Sequence, residues 1–185
     1  MSIFSIALTG FFVWSGIGGT ASQPATAVLS QTNAVTEILS VKLTGYNAVP
    51  EQTDGDPHTT ASGAFSNPEV IAARSRDLAE TLPFGTVISF EAPDKKEFSC
   101  GYKTVEHLVG YRVIADTMHE RKEKQIDVLF DMANAVDVGG KATNPAVATG
   151  ICNLTVRVVG KIPLKEIPAT QEDLAKLVNR NLAIR

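Results

Sequence analysis

Short segments in which apolar and polar residues alternate are the feature that most constrains the fold of this chain. Leu39, Val41 and Leu43 alternate with polar residues near the start of the patterned region, and the same alternation runs over residues 152–158. A period of two is typical of a strand that buries one face. The two segments therefore predict strands, and they favour a mainly β protein.

Brief apolar runs between these two segments predict further strands. They cover residues 70–73, 86–92, 105–116 and 125–131. Residues 50–68 are rich in Pro, Gly, Asp and Thr, and residues 132–150 are rich in Ala and Gly, so both predict loops or insertions. Five or six short strands with irregular loops predict a small closed all-β barrel rather than a parallel α/β sheet.

One helix is well marked, in the carboxyl-terminal extension that we place at residues 163–185. Thr170 and Asp173 have the spacing of a capping pair. An apolar stripe at helical spacing follows, formed by Leu174, Leu177, Val178 and Leu182. Because such a stripe normally buries against the protein's own core, we expect the helix to pack on the barrel.

The amino-terminal segment, residues 1–30, contains no charged side chain and carries an apolar run over residues 3–17. The triplet Ala25-Thr26-Ala27 then has the form of a signal-peptidase site. This pattern predicts a secretory signal or a membrane anchor, and thus an extracytoplasmic protein. No Lys or Arg precedes the run, which leaves a buried or interfacial helix of an intracellular protein as the alternative.

Charge and cysteine content narrow the functional classes. The net charge is −3 and no Lys/Arg cluster is present, which argues against a nucleic-acid partner. The two cysteines, Cys100 and Cys152, lack the spacing of a zinc or thioredoxin-type site. A disulfide between them and two buried free thiols are both compatible with the sequence.

Three aspartates are candidates for acid–base chemistry. Asp127 lies inside a predicted strand in which Ile126 and Val128 face the other side, and aspartate is depleted in strand interiors. Asp116 ends the preceding strand, where an acid also serves simply to open a turn. Asp77 lies in a loop, where a solvated carboxylate is the ordinary explanation.

Several common active-site patterns are missing from the sequence. The three histidines have no metal-ligand spacing, so we predict no metal site. No nucleophile elbow, P-loop or dinucleotide fingerprint occurs either, which argues against serine hydrolases, nucleotidases and dehydrogenases. No cofactor is predicted.

Five short segments occur in an order and spacing that resembles the 3D domain, which is named for three aspartates. They are TGYN at 44–47, TTASG at 59–63, LPFGT at 82–86, IADTM at 114–118 and IDV at 126–128. The resemblance covers about residues 40–160, within a domain that we bound at 37–162. This domain occurs in the membrane-bound lytic transglycosylase A family and in stationary-phase cell-wall enzymes.

The resemblance implies a six-stranded double-psi β-barrel with an open groove for a peptidoglycan glycan strand. The last aspartate of such enzymes is the catalytic acid, and its position matches Asp127. The second matches Asp116, which would lie beside it and raise its pKa by charge repulsion. The first falls near Asp77, although this chain inserts extra residues there. Some family members share the Asp-x-Met-x-x-Arg pattern found at 116–121.

The implied reaction is lytic transglycosylation, in which Asp127 acts as both proton donor and proton acceptor. Tyr46, Thr60 and Ser62 are candidates to hydrogen-bond the sugar or Asp127, although Ser62 also fits a plain turn. Asp116 as a second carboxylate would instead give a hydrolase. Two further alternatives are a glycan-binding module without catalysis and an intracellular barrel enzyme of unrelated chemistry.

Overall fold

The protein is a mainly β domain built on a closed six-stranded barrel, as predicted. Its structure, a computed structural model, describes residues 37–53, 55–92 and 100–182. The barrel strands are β1 (Ile38–Asn47), β2 (Ile71–Arg74), β3 (Thr86–Glu91), β4 (Arg112–Thr117), β5 (Gln125–Phe130) and β8 (Cys152–Lys161). The predicted amino-terminal leader lies outside the described residues.

The strand order around the barrel is β1-β5-β2-β4-β3-β8, after which β8 pairs with β1. β1 pairs with β5 in parallel, and β2 pairs with β4 in parallel, whereas the other neighbours are antiparallel. β5 therefore lies between β1 and β2, while β2 lies between β4 and β5. The closed six-stranded barrel, with one parallel pair on each side of the β5–β2 pair, agrees with the prediction of a small all-β barrel.

Two apolar clusters stabilise the barrel, one inside it and one on its outer face. The first takes side chains from all six strands, among them Leu43, Ile114 and Val128, and therefore fills the interior. The second lies on the outer face of the barrel, mainly over β2, β4 and β5, and includes Ile71 and Leu129. Period-two alternation sends successive residues of each strand to opposite clusters, which is why the sequence pattern predicted the strands.

The carboxyl-terminal helix α3 (Gln171–Leu182) covers the outer cluster. Its buried contacts are made by Leu174, Leu177 and Val178. Thr170 accepts a hydrogen bond from the backbone amide of Asp173 and donates one to its carboxylate. The predicted cap and the predicted packing on the barrel are thus confirmed; the side chain of Leu182 lies outside the described part.

The prediction of a single strand over residues 105–116 was wrong in its first half. Helix α1 (Tyr102–Val109) occupies that stretch, and β4 begins only at Arg112. Tyr102, Val105 and Val109 recur at helical spacing and are buried against the barrel interior. Apolar runs of this length do not separate a strand from a helix by composition alone, because tertiary burial makes the choice.

The prediction of a loop over residues 132–150 was also incomplete. The segment contains a hairpin, β6 (Val136–Val138) with β7 (Lys141–Thr143), followed by helix α2 (Pro145–Thr149). Asn144 caps α2 by accepting a hydrogen bond from the backbone amide of Ala146. These elements are too short to generate a clear hydrophobic period, so the sequence pattern did not reveal them.

Cys100 and Cys152 form a disulfide, which decides between the two alternatives left by the sequence. The bond joins the start of α1 to the start of β8. Gly101 lies next to it, where a Cβ atom would stand 1.6 Å from the carbonyl oxygen of Ala148. α1 and α2 therefore meet at a point that only glycine fits. Across the described ranges, no helix has the length and apolar character needed to cross a bilayer.

Candidate active site

The candidate site lies on the outer face of β1, β5 and β2, at the level of Asp127. Asp127 pairs with Thr44 of the parallel strand β1 on one side and with Ala73 of β2 on the other. Residues paired across neighbouring strands point to the same face of a sheet. Asp127 therefore projects away from the barrel interior, as its alternation with Ile126 and Val128 predicted.

A β-bulge brings Asp116 to the same face. Between β2 and β4 the register shifts after the pair Ala72–Ile114, so that Ala73 faces Asp116 and Ala115 is the extra residue. Without the shift, Asp116 would point to the same side as Ile114, which is the interior. Asp116 and Asp127 thus flank Ala73, with backbones about 10 Å apart across β2.

The carboxyl group of Asp127 is partly buried, and this burial raises its pKa to about 6. The hydroxyl of Thr44 donates a hydrogen bond of 2.8 Å to Oδ1, which acts in the opposite direction, as does the positive charge of Lys122. The charge of Asp116 contributes only a smaller upward shift. Desolvation, rather than the charge repulsion that we predicted, is therefore the main reason for the raised pKa.

Both oxygens of Asp116 already have hydrogen-bond donors from the protein. Oδ1 accepts from the backbone amides of Ala61 and Thr117, at 2.9 and 2.8 Å. Oδ2 accepts from the hydroxyl of Tyr46 at 2.9 Å. Tyr46 is buried, and burial followed by the charge of Asp116 raises its pKa well above the ordinary value. Asp116 thus joins β4 to β1 and to the loop that contains Ala61.

Residues 59–65 form a tight loop over this aspartate. Thr60 is buried, and its hydroxyl donates to the carbonyl of Ala64 and lies 3.0 Å from the hydroxyl of Ser62. The amide of Ser62 donates to the carbonyl of Ala115 on β4. Gly63 has φ of +82°, which favours glycine at the turn. The contacts of Thr60 maintain the loop, and Ser62 remains partly exposed at its edge.

A cavity of about 480 Å³ lies beside this loop. One wall consists of residues 62–65 and the other of residues between 164 and 169. The ring of Phe65 is 68% exposed and lines the cavity. Sequence reasoning missed Phe65, because a single aromatic residue in a polar loop gives no pattern until the loop folds over the barrel.

Asp77 lies apart from the other two aspartates. It is exposed, and its carboxylate accepts a hydrogen bond from the backbone amide of Lys124. Desolvation acts to raise the pKa of Asp77, but the hydrogen bonds from Ser75 and Lys124 outweigh it, so the pKa is lowered. Lys124 has a positive φ of 47° immediately before β5. Asp77 therefore fixes the backbone of Lys124, at the entry into β5. Lys124 lies three residues before Asp127, or roughly 10 Å along the strand, so this contact does not bring Asp77 to the Asp127 carboxyl group.

Two residues of the site were not assigned a role from the sequence. Thr44 hydrogen-bonds Asp127, and Gln125 donates a hydrogen bond of 2.8 Å to the hydroxyl of Thr44. Both contacts depend on the parallel pairing of β1 with β5, which joins residues more than 80 positions apart in sequence. Local sequence patterns cannot predict which residues of two distant strands are paired.

Within the described ranges, no group of three or more His, Cys, Asp or Glu side chains is placed to hold a metal ion.

No protein-family model matches the chain, and a search of curated proteins finds no significantly similar sequence. Membership of the 3D-domain family stays a prediction from the ordered motifs.

Proposed function

We infer that this protein is a peptidoglycan lytic transglycosylase that uses Asp127 as its only acid and base. The observation that carries the proposal is the state of Asp127, a partly buried carboxyl group whose pKa is raised to about 6. Such a group is half protonated near pH 6, and at pH 7 it still carries its proton in about one molecule in ten, far more often than an ordinary aspartate. Its position on the outer face of the barrel leaves it within reach of a polymer.

In the proposed reaction, Asp127 donates its proton to the oxygen that links N-acetylmuramic acid to N-acetylglucosamine. The bond between C1 of the muramoyl residue and that oxygen breaks, and the glucosamine leaves as an alcohol. The C6 hydroxyl of the same muramoyl residue then attacks C1 and returns its proton to the Asp127 carboxylate. The product is a 1,6-anhydro sugar, no water is consumed, and the carboxyl group is regenerated.

The contacts of Asp116 favour this lyase over a hydrolase. A hydrolase needs a second carboxylate that is free to attack the sugar or to activate water. Both oxygens of Asp116 instead accept hydrogen bonds from Tyr46, Ala61 and Thr117. Asp116 then acts as a positioning residue, which holds the loop of residues 59–65 and adds a smaller upward shift to the pKa of Asp127.

The proposed partner is a glycan strand, running across the face of Asp127 towards the cavity beside Phe65. A disulfide is typical of oxidising compartments, which supports an extracytoplasmic location for the protein. The apolar segment before residue 30 would serve as the secretory signal or membrane tether.

A glycan-binding module without catalysis is the second candidate. The exposed ring of Phe65 beside a cavity is the observation that favours it, because aromatic faces stack on sugar rings. Binding alone does not account for the raised pKa of a carboxyl group in the adjoining strands.

The test is mass spectrometry of soluble products after incubation of the protein with peptidoglycan sacculi. Asp127→Asn serves as the inactive variant, and Glu123→Gln, at an exposed carboxylate four positions away, serves as the matched control. We expect anhydromuropeptides from the parent and the control, and none from Asp127→Asn. Products with reducing ends would show a hydrolase, and retention on sacculi without release would show the binding module.

A further inference from the structure

Gln125 is the first residue of β5 and lies two positions before Asp127 on the same face of the strand. Its side chain is buried, with 7% of its surface exposed. The side-chain nitrogen donates a hydrogen bond of 2.8 Å to the hydroxyl oxygen of Thr44, whose hydroxyl in turn donates to Oδ1 of Asp127 at 2.8 Å. The three side chains form one continuous chain of hydrogen bonds.

The direction of this chain follows from the number of protons on each group. A threonine hydroxyl has one proton, while the amide nitrogen of glutamine is a donor only. Because Gln125 fills an acceptor position on the Thr44 oxygen, the single Thr44 proton is free to point at Asp127. If the amide were turned so that its oxygen faced Thr44, that one proton would have to serve two acceptors.

This order also distinguishes the two oxygens of Asp127. Oδ1 accepts from Thr44 and so does not carry the acidic proton. In the part of the chain that the structure describes, this is the only hydrogen bond made by the Asp127 side chain, so Oδ2 has no protein partner.

We propose that Gln125 is a positioning residue for the reaction, which acts through Thr44 to keep Oδ1 of Asp127 occupied and Oδ2 as the oxygen that delivers and recovers the proton. This role rests on the proposed function of Asp127 as acid and base. Gln125 itself is buried behind Thr44 and does not touch the glycan. Its effect must therefore pass through the hydroxyl of Thr44.

Other groups around Asp127 cannot replace this contact. Lys122, in the loop before β5, and Asp116, on β4, act on Asp127 only through their charges, and these effects oppose each other. Tyr46 on β1, whose pKa the charge of Asp127 also raises, gives its hydroxyl proton to Asp116. The orientation of the Asp127 carboxyl group is thus left to Thr44 and Gln125.

The test compares Gln125→Met, Thr44→Val and the double variant. Methionine conserves the volume of glutamine without its donor, and valine does the same for the hydroxyl of threonine. The first readout is the titration of Asp127 followed by carbon NMR of the aspartate carboxyl groups, which needs no substrate. The second is kcat and KM on solubilised glycan strands. Thr44→Ser, which keeps the hydroxyl, is the matched control.

In Thr44→Val we expect the pKa of Asp127 to rise by roughly half a unit to one unit, because a donor to the carboxylate is lost. In Gln125→Met we expect a smaller rise, because the Thr44 hydroxyl is kept but is no longer held in place by the amide. The double variant should titrate like Thr44→Val alone, since Gln125 has no route that bypasses Thr44. We expect kcat to fall about threefold to tenfold with KM unchanged, because the buried amide affects only the reacting group. Thr44→Ser should behave like the parent.

A Gln125→Met shift that persists in the Thr44→Val background would overturn the proposal, as would a folded Gln125→Met protein with an unmoved Asp127 titration. If Gln125→Met does not fold, Gln125→Glu replaces it. An ionised glutamate only accepts, so it draws the Thr44 proton away from Asp127 and should raise the pKa further. Absence of products from sacculi would refute the lyase, while the titration would still decide the hydrogen-bond relay.

Discussion

Replacing Asp127 by asparagine should make the protein more stable at neutral pH and no more stable in acid. Burial raises the pKa of Asp127 from its ordinary value of 3.8 to about 6. The folded state therefore holds the proton more tightly than the unfolded state. Asparagine stays neutral at every pH, and its carbonyl oxygen can still accept the hydrogen bond from Thr44.

The sign and size of the effect follow from proton linkage. Below about pH 3.8 the carboxyl group is protonated in both states, and it contributes no pH-dependent term. Between about pH 3.8 and pH 6 the unfolded state ionises while the folded state keeps its proton, so the free energy of unfolding falls over that range. A difference of about two pKa units corresponds to roughly 3 kcal/mol at full ionisation. The unfolding free energy of the parent protein should therefore fall by this amount as the pH is raised, and that of Asp127→Asn should not.

Urea unfolding at pH 3.5 and pH 7.5 measures the effect. The difference in unfolding free energy between Asp127→Asn and the parent should change by about 2–3 kcal/mol between the two conditions, in favour of the variant at pH 7.5. Glu123→Gln removes the same charge from an exposed position and is the control. A difference that does not change with pH would refute the argument, because it would show that Asp127 is not held in a desolvated site.

Four further predictions follow from the site and the scaffold. The muralytic rate should fall about tenfold for each pH unit above 6, because Asp127 must be protonated to start the reaction, and a pH–rate profile checks this. Asp116→Asn should lower the unfolding free energy by about 1–2 kcal/mol, measured with urea, because one of its oxygens can no longer accept. Replacing both Cys100 and Cys152 by serine should cost roughly 4 kcal/mol, since the bond closes a loop with a sequence separation of 52; an unchanged thermal midpoint would contradict this. Phe65→Ala should weaken co-sedimentation with sacculi while stability stays within about 0.5 kcal/mol of the parent, and equal retention would exclude Phe65 from binding.

The scaffold also depends on Arg112. Its side chain is buried, which the sequence pattern did not predict. Its guanidinium donates to the carbonyls of Leu108 and Val109 at the end of α1, and to those of Pro68 and Leu129. Burial lowers its pKa to about 9. The positive charge thus satisfies carbonyl groups that the end of a helix leaves without partners.

The sequence by itself determined the six barrel strands, although not the start of β4, and the carboxyl-terminal helix. Alternation with a period of two placed Leu43, Val128 and Leu154 in the barrel interior, and the same period placed Asp127 on the opposite face. The capping pair and apolar stripe determined α3. These features are local, because the side-chain direction in a strand or helix follows from the period of its backbone.

Tertiary structure decided the rest of the site. The bulge at Ala115 turns Asp116 outwards, the parallel pairing of β1 and β5 brings Thr44 to Asp127, and folding of the loop exposes Phe65 beside a cavity. Each depends on the register between segments far apart in the chain, and that register is set by the packing of the whole barrel. The pKa of Asp127 follows from the same packing, because desolvation exists only once the neighbouring strands and loop are in place.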